Sequence, residues 1–326
     1  RPLKFLVVLF ALARAMSPKL RRGLLRHLCL SGVVLSAFAL LQVRASGAVG
    51  SISMLFGETP EQASLYLGFR GFGTFGTPTD LAFVLGLIFL TVMLLPSVPL
   101  RAVTACACVV GIVVSGTRTI AFALPPIYLV AHLMVKRGVA TSVRRLAIVL
   151  TALSLGGAGG WLMADDAARA AASFTVSSAA SGDFLNDESL SVRLNNLRLG
   201  ETTLRVAPWT GVVTRDFIDA PDIGGVDSEY LLTFHRYGLI GLAALLALTA
   251  GVMVRGWLMN RRGHEWGAVV AGVGALTLAY GLTQGAWINT RLGPLVAALI
   301  AMAGRPNDST YHSAGSQTKD TSRRTG

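Results

Sequence analysis

Apolar residues in this chain come in unbroken runs instead of stripes. Residues 81–95 and 239–254 are apolar on every face, without the 3.6-residue alternation of a helix lying half in water, so both read as membrane spans. A window of about 19 residues moved along the sequence finds candidate spans near 2–15, 28–43, 80–96, 100–115, 119–135, 146–164, 231–254, 267–287 and 292–303. The expected fold is all-α: a polytopic transmembrane helix bundle of about nine spans, forming a single domain over residues 1–303. The first and last runs fall short of the ~20 residues that cross ~30 Å of hydrocarbon. Because the sequence opens on Arg1, the expectation is a truncated N-terminus with further helices before it.

Composition points to the same solvent. Apolar residues make up 52% of the chain and charged residues 14%, with a mean hydropathy of +0.58, whereas a soluble domain carries roughly a quarter charged residues. The formal net charge is +12, and its placement suits membrane anchoring rather than nucleic acid. Lys19, Arg21, Arg22 and Arg26 share one loop, Arg101 lies in a second, Lys136, Arg137, Arg144 and Arg145 in a third, and Arg255, Arg261 and Arg262 in a fourth. With the spans above, all four loops fall on one side, which the positive-inside rule makes cytoplasmic. Residues 304–326 are Ser, Thr, Gly and charge without apolar periodicity, and are expected to form a disordered cytoplasmic tail. The other side receives outer loops 44–79 and 164–229 and tight turns near 116–118 and 287–291. In the longer loop an Ala- and Ser-rich run, 167–181, precedes a helix-like stretch, 188–206, that ends before Pro208. So long a loop is rarely structureless in a compact protein, and this one is expected to fold over the membrane surface.

Cation type differs between the two sides. Apart from Lys4 in the short first run, the lysines Lys19, Lys136 and Lys319 fall in cytoplasmic loops or the tail, while the outer segments carry arginine alone: Arg44, Arg70, Arg118, Arg169, Arg193, Arg198, Arg205, Arg215 and Arg291. Either cation anchors a helix, but the guanidinium fork matches phosphate oxygens two at a time and stays charged where water is scarce. Arginines gathered at a membrane surface are therefore expected to bind diphosphate. Arg118, in Ser115-Gly116-Thr117-Arg118-Thr119, sits between two apolar runs with almost no loop around it, where a charge costs a few kcal/mol. The plain alternative is an arginine snorkelling to the headgroups. Arg70 lies in Gly68-Phe69-Arg70-Gly71-Phe72-Gly73, where glycines let backbone approach a ligand, and Arg291 follows Trp287 at a second outer turn, where it would equally serve as an interfacial anchor.

Other chemistries find no support. The three cysteines, Cys29, Cys106 and Cys108, lie inside apolar runs and form no CxxC pair, the histidines show no metal-ligand spacing, and no P-loop, nucleophile elbow or acidic pair for a nucleotide sugar occurs. No cofactor and no metal are expected.

Three stretches together resemble the superfamily of O-antigen ligases and Wzy-type polysaccharide polymerases, membrane glycosyltransferases whose donors are glycans linked to polyprenyl diphosphate. Residues 69–80, Phe-Arg-Gly-Phe-Gly-Thr-Phe-Gly-Thr-Pro-Thr-Asp, are similar to the family's Arg-x-x-Gly segment leading through a proline into a span. Ser115-Gly116-Thr117-Arg118 is similar to its Ser-x-Ser-Arg turn. The long outer loop resembles the family's in Arg193, in Pro208-Trp209-Thr210-Gly211, and in Asp227-Ser228-Glu229-Tyr230-Leu231 with Gly238 and Gly241.

The resemblance implies an active site at the outer leaflet of a bacterial inner membrane, facing the periplasm or cell exterior. Arg70, Arg118, Arg193, Arg198, Arg215 and Arg291 would hold the donor's diphosphate or glycan together with Tyr230, and Asp227 or Glu229 would act as base on the acceptor hydroxyl. A helix N-terminus favouring acidic residues is the plainer account of those two carboxylates. Partners would be lipid-linked donor and acceptor, the bilayer, and a chain-length regulator. Ligases carry a histidine where this chain has Asp227, which favours a polymerase of repeat units over a ligase acting on lipid A core. A transporter or lipid flippase is the alternative of another class, and would show inverted repeats and broken helices.

Overall fold

The computed structural model describes residues 15–56, 67, 70–133, 200, 201, 203–212, 228–282, 284, 286, 287 and 292–303. Among the described residues there is helix and connecting turn and no strand. In chain order the helices are α1 (Pro18–Arg44), α2 (Ser46–Met54), α3 (Pro78–Thr91, continued by a 3-10 turn, Val92–Leu94), α4 (Val98–Ser115), α5 (Arg118–Leu133), α6 (Glu229–Arg261), α7 (Gly267–Tyr280) and α8 (Leu292–Met302). Three of them, α1, α4 and α6, are long and apolar enough to cross a membrane; α3, α5, α7 and α8 are shorter apolar helices.

Local chemistry sets several of their ends. The side chains of Ser17, Thr77 and Ser228 cap α1, α3 and α6 by accepting from the backbone N–H of Leu20, Asp80 and Leu231, each satisfying a donor that the first turn leaves open. Pro78 follows Thr77, where its missing N–H costs nothing. Gly116 stops α4 in the left-handed conformation, with φ 64°.

The all-round apolarity of residues 81–95, expected to meet lipid, is met by protein. Every residue of α3 from Asp80 to Thr91 is buried. Ile88 lies beside Gly32 of α1, Leu85 beside Gly111 of α4, and Leu276 of α7 and Ile120 of α5 close over Gly86. The helix is 14 residues long, or about 21 Å, which suits the centre of a bundle. The outer helices instead present Val34, Phe122 and Ile240 at 67%, 70% and 63% exposure. Such faces suit a hydrocarbon surround and are those of a membrane protein. Lipid is as apolar as leucine, so helix association there rests on close packing. At the α6–α7 hairpin, a Cβ added to Gly256 would lie 2.2 Å from the Ala271 nitrogen, and one on Gly267 would lie 2.3 Å from that of Asn260.

The apolar run in α6, expected to be continuous from 231 to 254, is broken. Gly238 has φ 63° and ψ −160° inside the helix, a conformation that only glycine tolerates. The size of the bend follows from Trp287, whose backbone N–H donates to Glu229 Oε1 and whose indole N–H donates to Thr249 Oγ1, both at 3.1 Å. Along a straight helix residues 229 and 249 would stand about 30 Å apart, beyond the reach of one tryptophan. The chain therefore folds back at Gly238. Residues 229–237 form a short half-helix, and residues 239–261 alone have spanning length.

Gly238→Ala tests this reversal. Its Cβ would lie 2.4 Å from the carbonyl of Trp209, so a loss of about 1–3 kcal/mol is expected as a lowered midpoint of thermal unfolding in detergent. Gly23→Ala on α1, where no atom of the described residues lies within 4 Å, is expected to leave the midpoint unchanged or slightly raised.

Candidate functional site

The ends of α4 and α5 meet in the three-residue turn Gly116-Thr117-Arg118, and Arg70 lies across it. The Arg70 Nε–H donates to the Ser115 carbonyl at 2.7 Å, and Nη2 reaches Thr117 Oγ1 at 3.5 Å. The Gly71 N–H donates to the Val114 carbonyl at 3.1 Å. A guanidinium at the C-terminal carbonyls of a helix is electrostatically favoured, so α4 itself seats Arg70. Gly116 lies close under Arg70, where an added Cβ would stand 3.2 Å from Nε, and its positive φ is what favours glycine there. Ser115 helps shape the turn by accepting from the Thr117 N–H through its hydroxyl at 3.3 Å. Two motifs 45 residues apart in the chain thus form one structure, with Arg118 exposed at the first position of α5.

The segment carrying Arg70 is irregular and largely buried, and one side chain satisfies the polar backbone at its centre. Gln42, on the last turn of α1 and fully buried, accepts from the N–H of Phe72 at 3.0 Å and of Gly73 at 2.8 Å through Oε1, while its amide nitrogen donates to the Gly73 carbonyl at 3.0 Å and to Ser53 Oγ at 3.2 Å. Phe72 is itself fully buried, and Thr77 and Pro78 turn the chain into α3.

A second polar group occupies the same end of the bundle. The Tyr280 hydroxyl donates to Asp80 Oδ1, joining the end of α7 to the start of α3, and the Tyr280 ring stacks on Phe83 at 4.2 Å. The adjacent Gly281 carbonyl accepts from the Glu229 N–H at 3.0 Å and from Ser228 Oγ at 3.3 Å. Glu229 is buried, and its two carboxylate oxygens accept from the N–H groups of Ala286 at 3.0 Å and Trp287 at 3.1 Å. Tyr230 donates to the Leu278 carbonyl at 2.6 Å. The described part of the longer outer segment docks here too. Its helical residues end before Pro208, the Pro208 and Trp209 carbonyls accept from the N–H groups of Leu239 and Ile240, and the Val212 N–H donates to the His235 carbonyl. The ring of buried His235 is hydrogen-bonded to Thr203 Oγ1 at 2.6 Å.

Of the residues singled out in the sequence, Arg70, Arg118, Glu229 and Tyr230 are placed by the structure at this end, Arg70 against the turn that Arg118 closes and the last two on the folded-back half-helix. Asp227, Arg193, Arg198, Arg215 and Arg291 lie outside the described residues. Lys19, Arg21, Arg22, Arg101, Arg261 and Arg262, on helix ends and turns, gather at the opposite end. Sequence reasoning passed over Gln42, Asp80 with Tyr280, and His235 with Thr203. Gln42, Tyr280 and His235 interrupt apolar stretches, which was their signal, whereas Asp80 and Thr203 lie among other polar residues. Among the described residues no cluster of His, Cys, Asp or Glu is suited to hold a metal.

Chemically, this end offers an anion two neighbouring arginines and the start of α5, where first-turn N–H groups and the helix dipole both favour negative charge. No family model matches the chain, and no curated protein matches it.

Gln42→Leu should strand the Phe72 and Gly73 amides in an apolar surround at about 1–3 kcal/mol each. Hydrogen exchange is expected to rise at residues 71–76 while α7 stays protected, and unaltered exchange there would show that Gln42 does not hold the segment.

Proposed function

We propose that this protein is a membrane glycosyltransferase that polymerises lipid-linked oligosaccharide repeat units at the outer leaflet of a bacterial inner membrane. The observation that carries the reading is the contact of Arg70 with the Ser115–Arg118 turn at the start of α5. A guanidinium seated at the turn, a second arginine opening α5 and a helix N-terminus suit a diphosphate, the leaving group of a polyprenyl-diphosphate donor. Neutralising charge as it develops on that group supplies catalysis without a metal.

In this reading the spans number about nine, residues 164–229 form an outer loop over the site, and Arg193, Arg198, Arg215 and Arg291 extend its grip on the glycan. The base falls to Asp227. Glu229 already gives both carboxylate oxygens to main-chain donors at 286 and 287, and we assign it the holding of that turn, with Tyr230 beside it. A ligase would use the same diphosphate site with a different acceptor. The break at Gly238 favours a second reading, a transporter, because discontinuous helices form substrate sites in such proteins.

A strain lacking the chain separates these readings. The proposal expects short carrier-linked glycan and loss of long surface polymer; long polymer stranded on the carrier would mean a ligase, and unchanged glycans would remove the glycosyltransferase reading. Within the site, Arg70→Lys and Arg118→Lys keep charge but lose the fork. Each is expected to cost about tenfold or more in polymer formation, equivalent to about 1.4 kcal/mol, and full activity in both would contradict the diphosphate role.

A further inference from the structure

The opposite end of the bundle holds a cleft of about 400 Å³, lined among the described residues by Gly251, Val254, Arg255, Leu258, Met259, Arg262, His264 and Ala303. Its chemistry is graded along α6. At the inner end Gly251 leaves open space, with no atom of the described residues within 4 Å of where a Cβ would stand, and Val254 adds an apolar wall beside it. Arg255 and Leu258 follow midway along the cleft, and at the outer end Arg262, seven residues beyond Arg255 and so on the same face of the helix, is followed by His264 just past the turn. Trp257 and Arg261, with the guanidinium 4.5 Å from the ring centroid, form the kind of aromatic and cationic pair that sits at a membrane–water boundary. They place the cationic half of the cleft at headgroup level. Glu265 is the acidic residue next to the cleft, and it does not line it.

We propose that this cleft binds one anionic phospholipid, its phosphate held by Arg255, Arg262 and His264 and the upper part of one acyl chain lying along Gly251, Val254 and Leu258. Basic pockets between membrane helices recognise such headgroups, and the apolar inner half is what a free anion would leave unused. The volume admits a headgroup and the first methylenes, as suits a groove that opens into the bilayer. The chain's own residues 304–326 are the competing occupant, but they carry Arg305, Lys319, Arg323 and Arg324 against Asp308 and Asp320, so they bring net positive charge to a site that is itself positive. The proposal stands apart from the glycosyltransferase reading, since it uses none of the same residues.

The test is native mass spectrometry of the full chain in a neutral detergent, titrated with phosphatidylglycerol, phosphatidylcholine or inorganic phosphate. One phosphatidylglycerol should be retained, phosphatidylcholine should not, and inorganic phosphate should fail to displace the lipid. Arg255→Gln and Arg262→Gln should each weaken retention about fivefold. Gly251→Leu should block it while leaving the thermal unfolding midpoint unchanged, so the test survives if an arginine variant folds poorly. Equal retention of phosphatidylcholine, wild-type retention by the Arg255→Gln/Arg262→Gln double variant or by Gly251→Leu, or displacement by inorganic phosphate would each overturn the proposal. Marked tightening in a chain lacking residues 305–326 would overturn it in favour of the tail.

Discussion

Backbone that leaves a helix inside an apolar bundle must find hydrogen-bond partners within the protein, because lipid offers none and each stranded group costs several kcal/mol. This chain meets that constraint at three places close together. Gln42 serves the loop that carries Arg70. Glu229 serves the turn at 286–287. The carbonyls of Pro208 and Trp209 serve the amides just beyond the reversal at Gly238. The irregular, glycine-rich structure concentrated at this end exists because these partners hold it, and it is the part of the molecule that brings arginine to a helix terminus.

The two ends of the bundle use arginine differently as a consequence. At the end where α3 and α5 begin, Arg70 is fixed by the Ser115 carbonyl, so its position is defined before any ligand arrives. Preorganisation of that kind is what makes charge stabilisation effective during a reaction, since little has to move. At the opposite end Arg261 lies over an indole, and Arg255 and Arg262 line an open cleft. In the proposed lipid site these groups would meet the bilayer surface, where binding tolerates looser geometry.

Some of this was legible in the sequence because charge or glycine between apolar runs is conspicuous: the Ser115–Arg118 turn and the Arg70 segment stand out for that reason. Their mutual contact was not legible, since nothing in either motif encodes its partner. Residues 81–95 look like a lipid-facing span because apolar surround leaves the same composition whether it is hydrocarbon or other helices, and only the neighbours of α3 distinguish the two. The resemblance includes Gly238, one of 36 glycines, but its positive φ leaves no mark in composition. Glu229 reads as an ordinary acidic residue in a first helical turn, whereas its partners are 57 and 58 residues further on. Gln42 reads as a polar residue near a helix end, and its role depends on a loop 30 residues away.

The most direct measurement is the binding of polyprenyl diphosphate, without any glycan, to the purified chain. The account predicts saturable binding that inorganic diphosphate displaces, with polyprenyl monophosphate weaker and polyprenol, which has no phosphate, weaker still. Equal binding of all three lipids, unaffected by inorganic diphosphate, would contradict a diphosphate site at Arg70 and Arg118.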